Sequence, residues 1–500
     1  MSGRSVLVVG GGVSGLAAAH RLRTLLGPDA AITVVEAGRR LGGKLAAVDL
    51  GGMRVDLGAE AFLARRPEAA ARIVELGLTD ELVHPGSASS LVRAGGRNHR
   101  LPRRTVMGLP ADPPAVHDVL SAAGNAVLAA EVELGPVDWT PGGDVAVGAL
   151  LRPRVGDEVV DRLVDPLLGG VYSGRADALG LRATVPALAA ALDAGPTTLT
   201  AAARTALPAA PPDGTAPAPV FGTLRGGLAE LPGALAVAAR AEMLLGRTVT
   251  DLRHGPDGWV VSLARSGPEG ADPDTGDREV RVVDAVVLAV PPPALRRLLS
   301  DLAPGAAAAA GGIELASSAV VALAFPGGAD LGAHSGVLIG AGERRPDGLP
   351  WTIKAVTNSS VKWPHLRHEE SDPDATVVLR ASIGRHGETV TLQRDDDDLT
   401  AAARDDLALL TGLRAEPLES VVMRWGGGLP QYGVGHVERV ATLEGGVAAL
   451  PGLAVAGAAL HGVGVPACLA SGDAAAHRVV DHLTARGGSM GEWHAWTTPS

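Results

Sequence analysis

The chain reads as an α/β protein, α+β overall, and three stretches predict that class. At the start, the β-branched run Val6-Leu7-Val8-Val9 breaks into Gly10-Gly11-Gly12-Val13-Ser14-Gly15. It then passes into Leu16-Ala17-Ala18-Ala19-His20-Arg21-Leu22, giving a strand, a glycine turn and a helix. Near the end, Leu453-Ala454-Val455-Ala456-Gly457 repeats the pattern: a buried strand, a turn over His461-Gly462-Val463-Gly464-Val465-Pro466, and a helix opening at Ala467-Cys468-Leu469-Ala470-Ser471-Gly472. Between 313 and 423, alternating apolar runs predict antiparallel strands: Ala319–Phe325, Gly336–Ile339, Trp351–Thr357, Thr376–Ile383 and Val421–Trp425, with one helix at about 396–411.

Each part of the first stretch has a physical purpose. Gly10 makes the tight turn, Gly12 lets the backbone approach a pyrophosphate, and Gly15 lets helix and strand pack closely. The free amides of the helix start, at Val13 and Ser14, face the phosphates. A second strand, Ile32–Val35, ends in Glu36, where a carboxylate accepts hydrogen bonds from a ribose. With strand, helix and acid all in place, the residues predict a dinucleotide site. Ala37-Gly38-Arg39-Arg40-Leu41-Gly42-Gly43-Lys44 follows and suits further phosphate contacts, a hairpin turn being the plainer reading.

Further along, Val48–Leu50 and Met53–Leu57 read as strands, closed by Asp56-Leu57-Gly58-Ala59-Glu60-Ala61-Phe62, and residues 67–83 as a helix. Arg93–Arg97 is a turn between short strands. Arg97, Arg100, Arg103 and Arg104 form the densest basic cluster, read as a solvated loop or phospholipid-facing patch, or more sharply as a recognition patch for substrate carboxylates. Residues 115–170 have helical spacing and read as an insertion, and 207–220 as a surface excursion poor in large apolar groups. Order returns at Phe221–Leu228, with a helix to about Leu245. Val249 closes a short strand, and a hairpin spans about 250–283. Asp284–Pro291 is a buried strand stopped by three prolines, and residues 486–500 read as a frayed tail.

Composition narrows the class of function. At 500 residues, 46% hydrophobic and 20% charged, the chain fits two or three soluble globular domains. A net charge of -11 argues against nucleic acid as a partner. One cysteine, Cys468, excludes an internal disulfide and a Cys-based metal cluster, and points to a reducing, cytoplasmic setting. No metal site is expected. No uncharged apolar run is long enough to span a bilayer, which leaves peripheral membrane contact open.

The glycine-rich elements at the two ends, Glu36–Lys44 and the strand ending at Pro291 together resemble the FAD-binding superfamily of amine oxidases, phytoene desaturases and protoporphyrinogen oxidases. Interior segments resemble the protoporphyrinogen/coproporphyrinogen oxidase pattern: Gly169-Gly170-Val171-Tyr172-Ser173-Gly174, Leu179–Pro186, Thr223–Leu228, Trp425–Tyr432 with Gly435-His436, and Gly462–Cys468. Ser360-Val361-Lys362-Trp363-Pro364 resembles the Gram-positive branch, whose members mostly oxidise coproporphyrinogen III. Ala467 departs from the pattern, standing where many relatives have an acid.

The resemblance implies a Rossmann-like FAD-binding domain (1–84, 222–292 and 424–485), a mixed-sheet substrate domain (85–110, 175–221 and 293–423) and a helical insertion (111–174). It also implies residue roles. Gly10, Gly11, Gly12, Val13, Ser14 and Gly15 hold the pyrophosphate, Glu36 and Ala37 the ribose, and Lys44 the phosphate side. Gly58, Ala59, Glu60 and Ala61 lie near the flavin, Val249 meets adenine through its backbone, and Trp425 packs near the isoalloxazine. Gly457, Val463, Gly464 and Val465 bring the last helix to the pyrimidine ring, where its positive end favours a reduced, anionic flavin. The implied reaction is six-electron oxidation of a porphyrinogen by hydride transfer from meso carbons to flavin N5, with O2 as acceptor and hydrogen peroxide as product. No catalytic side chain is required, and delivery of product to a ferrochelatase stays open. Arginine binds carboxylates in a bidentate fork, so Arg97, Arg175, Arg345 and Lys362 are the candidate propionate partners. A surface ion pair is the plainer reading for each. Tyr172 and Tyr432, the only tyrosines, read as core, and His461 as a cap or solvent group. Rival readings are a flavin amine oxidase, disfavoured by 2% aromatic content that makes a cage hard to build, a carotenoid desaturase, and a non-catalytic flavoprotein scaffold.

Overall fold

A computed structural model describes residues 4–208, 218–267, 270–271, 278–366 and 375–489. A five-stranded parallel sheet carries the nucleotide-type half. Its strands are β1 (Ser5–Val9), β2 (Ala31–Glu36), β3 (Glu242–Leu245), β4 (Ala285–Leu288) and β5 (Leu453–Val455), in the spatial order β3-β2-β1-β4-β5. Parallel strands are covered on both faces, and β1 from Val6 to Val9 and all of β4 are apolar for that reason. Helix α1 (Val13–Leu26) packs on one face together with α2 (Val465–Ser489), the two sharing a buried cluster that includes Leu16, Ala17, Leu469 and Ala476. The opposite face buries Leu7, Val286 and Leu288 against Trp259, Leu295 and Leu443.

β3 is a correction. The sequence reading carries a helix through to Leu245, whereas the helix stops at Ala239 because Arg240 turns left-handed (φ 45°). The freed segment pairs with β2 in register Glu242 to Thr33. The helix expected over 67–83 likewise ends at Glu75, Gly77 taking φ 72°, before a short 3-10 turn and the strand Leu82–Val83. Val249 sits inside the longer strand Arg247–Gly255, and the last helix starts two residues early and reaches Ser489. The helix therefore takes in residues 486–489 of the expected tail, and residues 490–500 lie outside the described residues, as do 209–217 of the surface excursion.

A second, seven-stranded sheet follows the order Glu419–Pro430, Leu315–Pro326, Thr376–Ile383, Ile353–Thr357, Gly336–Ile339, Ser90–Ala94, Arg97–Arg100. Its pairings are antiparallel except that of Gly336–Ile339 with Ser90–Ala94. Helices between 122 and 206 form a separate helical core. The short helices at Leu181–Thr184, Pro186–Asp193 and Leu199–Ala206 pack into this same cluster, which also takes in Tyr172 and Tyr432. Among the described residues, no helix is long and apolar enough to cross a membrane.

Candidate functional site

A cleft of about 370 Å³ opens where the carboxyl ends of β1, β2 and β4 meet the N-termini of α1 and α2. Ligands of open α/β sheets bind at this place. Gly10 leaves β1 with φ +107°, and a Cβ there would lie 2.3 Å from the Ala289 carbonyl oxygen. A Cβ on Gly15 would lie 1.9 Å from the Gly10 oxygen. At Gly12 the only neighbour within 4 Å is the Gly43 Cα, at 4.0 Å. Gly12 is the N-cap of α1 and offers no side chain to the first-turn amides, which stay available at the cleft wall. The open wall and uncapped helix start fit a bound pyrophosphate. The Glu36 carboxylate accepts from the Gly11 amide at 2.7 Å and the Gly38 amide at 2.6 Å, so it stands fixed at the end of β2.

Gly10, Gly12, Val13, Ser14, Glu36, Ala37, Lys44, Ala59, Val249, Gly457, Val463 and Val465 line this cleft. The two termini, more than 400 residues apart in sequence, thus build one site. Lys44 is exposed into the cleft it lines, and desolvation by the surrounding walls lowers its pKa from the ordinary lysine value. The Val249 carbonyl accepts from Arg297 Nη2 at 2.8 Å.

Gly11, Gly15, Gly58, Glu60, Ala61, Trp425 and Gly464 stand outside the lining. Gly58 keeps its loop tight, since a Cβ would lie 1.9 Å from the Lys44 oxygen. Trp425 donates from Nε1 to the Leu57 carbonyl at 2.9 Å, with the Arg40 guanidinium 6.0 Å from its ring centroid. Glu60 is spent on a charge cluster: Lys362 Nζ lies 2.5 Å from Oε1, Trp363 Nε1 donates to the same oxygen at 3.2 Å, and Arg380 Nη1 lies 2.8 Å from Oε2. Lys362 and Arg380 outweigh desolvation and bring the Glu60 pKa down to about 2.

The four candidate propionate cations are not brought together. Lys362 holds Glu60. Arg175 pairs with Glu388. Arg345 reaches the buried Asp406 at 3.2 Å and Asp347 at 2.8 Å, and the amides of Thr352 and Ile353 donate to the same Asp406. Arg97 lies on the far edge strand, six strand spacings from the strand whose Pro430 lines the cleft, or roughly 29 Å across the sheet. His461, read as a cap or solvent group, forms an exposed pair with Glu444 at 2.7 Å, which raises its pKa.

The sequence reading missed Arg247, Arg297, Pro291, Pro292, Leu315, Pro430 and Cys468 in the lining. The triple proline carried a usable signal: Pro at the first helical positions starts Pro292–Leu299, and that start faces the cleft. Leu315 and Pro430 meet only through strand register, which local sequence does not report.

The flavin-containing amine oxidoreductase family pattern matches residues 13–480. The coproporphyrinogen III oxidase of Mycobacterium tuberculosis (strain ATCC 25618 / H37Rv) is 44% identical over 486 residues, covering 97% of this chain and 99% of that protein. That of Bacillus subtilis (strain 168) is 30% identical over 488 residues, covering 96% and 98%. The crystal structure of a protein from Exiguobacterium sp. 255-15, provisionally named a protoporphyrinogen oxidase, superposes with a TM-score of 0.79 at 29% identity, covering 96% of this chain and 99% of that one. With the two-ended cleft in place and a family pattern spanning nearly the whole length, the chain belongs to the flavin-containing amine oxidoreductase family.

Proposed function

We propose that the protein is an FAD-dependent oxidase that converts coproporphyrinogen III to coproporphyrin III, with O2 as acceptor and hydrogen peroxide as product. The observation that carries the reading is the 44% identity to the M. tuberculosis coproporphyrinogen III oxidase over 97% of this chain. FAD, when bound, supplies a hydride acceptor at its N5 atom. The chain's own tasks are to hold the dinucleotide and to leave one face of its ring system open to a flat macrocycle.

In this reading Gly10–Ser14 and the start of α1 take the pyrophosphate, Glu36 the adenosine ribose, and Lys44 the phosphate side. Val249 and Arg297 bound the adenine end. Val463–Val465 set the N-terminus of α2 toward the flavin pyrimidine, where the helix dipole favours negative charge. The chain divides into a flavin-binding unit from three pieces (1–84, 222–292 and 424–485), a sheet that covers the substrate, and a helical unit. Product handover to a ferrochelatase is compatible with this scheme.

Protoporphyrinogen IX is the second substrate to weigh, because a Macaca fascicularis protoporphyrinogen oxidase is 30% identical over 96% of this chain. The test is anaerobic bleaching of the flavin, followed by side-by-side steady-state kinetics on both porphyrinogens with peroxide detection. Bleaching by coproporphyrinogen III and a higher kcat/KM for it are expected. Bleaching by amines alone would overturn the proposal, and a preference for protoporphyrinogen would reverse the substrate order.

A further inference from the structure

We propose that Tyr432 and His436 are positioning residues that set the Ala458–Leu460 turn against the bound flavin dinucleotide and tie it to the helical unit. The proposal rests on the flavin reading of the cleft. Gly457 (φ +137°) and Gly462 (φ +149°) bracket the turn, conformations that only glycine adopts readily, and the Gly457 amide donates to Ser471 Oγ at 3.0 Å. Gly457, Ala458 and Ala459 line the cleft, so any displacement of the turn changes the cleft wall.

Two further side chains anchor the turn. The Tyr432 hydroxyl donates to the Ala458 carbonyl at 2.6 Å. His436 Nε2 lies 3.1 Å from the Leu460 carbonyl, and because a carbonyl only accepts, Nε2 carries the proton. Both residues are 2% exposed, and burial keeps the imidazole neutral by lowering its pKa. Their rings stack at 3.8 Å with an interplanar angle of 17°, so the two donors are held as one unit.

The same unit is clamped from the other side. The Tyr432 carbonyl accepts from the Gly180 amide at 2.7 Å, Gln431 Nε2 donates to the Tyr172 carbonyl at 2.7 Å, and the Tyr172 ring lies 5.5 Å from that of Tyr432. A continuous path of packed rings and hydrogen bonds thus runs from the helical unit to the cleft turn. Neither Tyr432 nor His436 lines the cleft itself.

The experiment uses purified holoprotein and three variants. Tyr432→Phe keeps the ring stack and removes only the donor to Ala458. His436→Leu removes the donor to Leu460, and His436→Gln restores an amide donor. Flavin release is followed by the fluorescence of the freed cofactor after dilution, and the flavin midpoint potential is measured alongside. Tyr432→Phe and His436→Leu are expected to release flavin about two- to tenfold faster than wild type, the loss expected for one net hydrogen bond, with a shifted potential. His436→Gln is expected to stay within about twofold of wild type. Wild-type release rates and potentials in Tyr432→Phe and His436→Leu would overturn the proposal, even with a lowered melting temperature, and would reduce both residues to packing. Should Tyr432→Phe fail to fold, the His436 pair carries the same test. A wild-type protein that is colourless and cannot be reconstituted would refute the flavin reading instead.

Discussion

Gly10, Gly12 and Gly15 share a motif but not a reason. At Gly10 and Gly15 an added Cβ collides with backbone, whereas at Gly12 it meets open cleft. Gly12→Val is therefore expected to fold, with a melting temperature near that of wild-type apoprotein, and to purify without yellow absorbance. Gly15→Val is expected to yield no soluble protein. Full flavin absorbance in Gly12→Val would remove the pyrophosphate from this wall. The motif was legible in the sequence because strand, turn and helix are contiguous. The division of labour was legible too, from the motif's spacing, but the partner that Gly10 would strike, Ala289, lies far along the chain and was not. The propionate candidates were illegible for the same reason. Glu60, Glu388 and Asp406, the carboxylates that occupy Lys362, Arg175 and Arg345, are distant in sequence; of these cations only Arg345 also has a partner close by in sequence, Asp347.

Between elements, the contact that closes the cleft is the crossing of α1 and α2. Gly472 permits it: a Cβ there would lie 2.3 Å from the Ser14 carbonyl oxygen and 3.0 Å from Ala17 Cβ. Gly472→Ala is expected to lower stability by about 1–3 kcal/mol through overpacking, and to weaken flavin retention because Val13 and Val465 separate. Thermal melts with and without added FAD check this, and an unchanged apoprotein melt would show that the crossing yields without strain. Strands with strong β-branched runs, such as β1, β2 and β4, were readable from pattern alone. β3 was not, because Glu242–Leu245 continues the apolar spacing of the preceding helix, and only the left-handed Arg240 breaks it.

Across the whole molecule, the Glu60 cluster joins the loop after Asp56 to the second sheet. Arg380, from the strand Thr376–Ile383, also donates to the Asp56 carbonyl at 2.5 Å. The Glu60 pKa falls from 4.5 to about 2 on folding, so the carboxylate contributes stability that is fully present above pH 4.5 and is lost as pH falls through about 2. Asp56 runs the other way. Burial raises its pKa from 3.8 to about 6, so its contribution is fully present below pH 3.8 and is lost as pH rises through about 6. Glu60→Gln is expected to lower stability at neutral pH by about 3 kcal/mol, leaving Lys362 and Arg380 without their carboxylate, and to flatten the acid limb between pH 4.5 and 2. Denaturant melts across that range decide it, and parallel acid limbs in the two proteins would place the acid sensitivity elsewhere.

The five-stranded sheet has one more consequence, for order of assembly. β5 and α2 stand more than 400 residues beyond β1 and α1, and they supply Gly457, Val463 and Val465 to a groove whose opposite wall comes from β1 and α1. A nascent polypeptide therefore carries an unfinished binding groove until residues 453–489 have been made. In the proposed reading, flavin capture has to wait for that second wall.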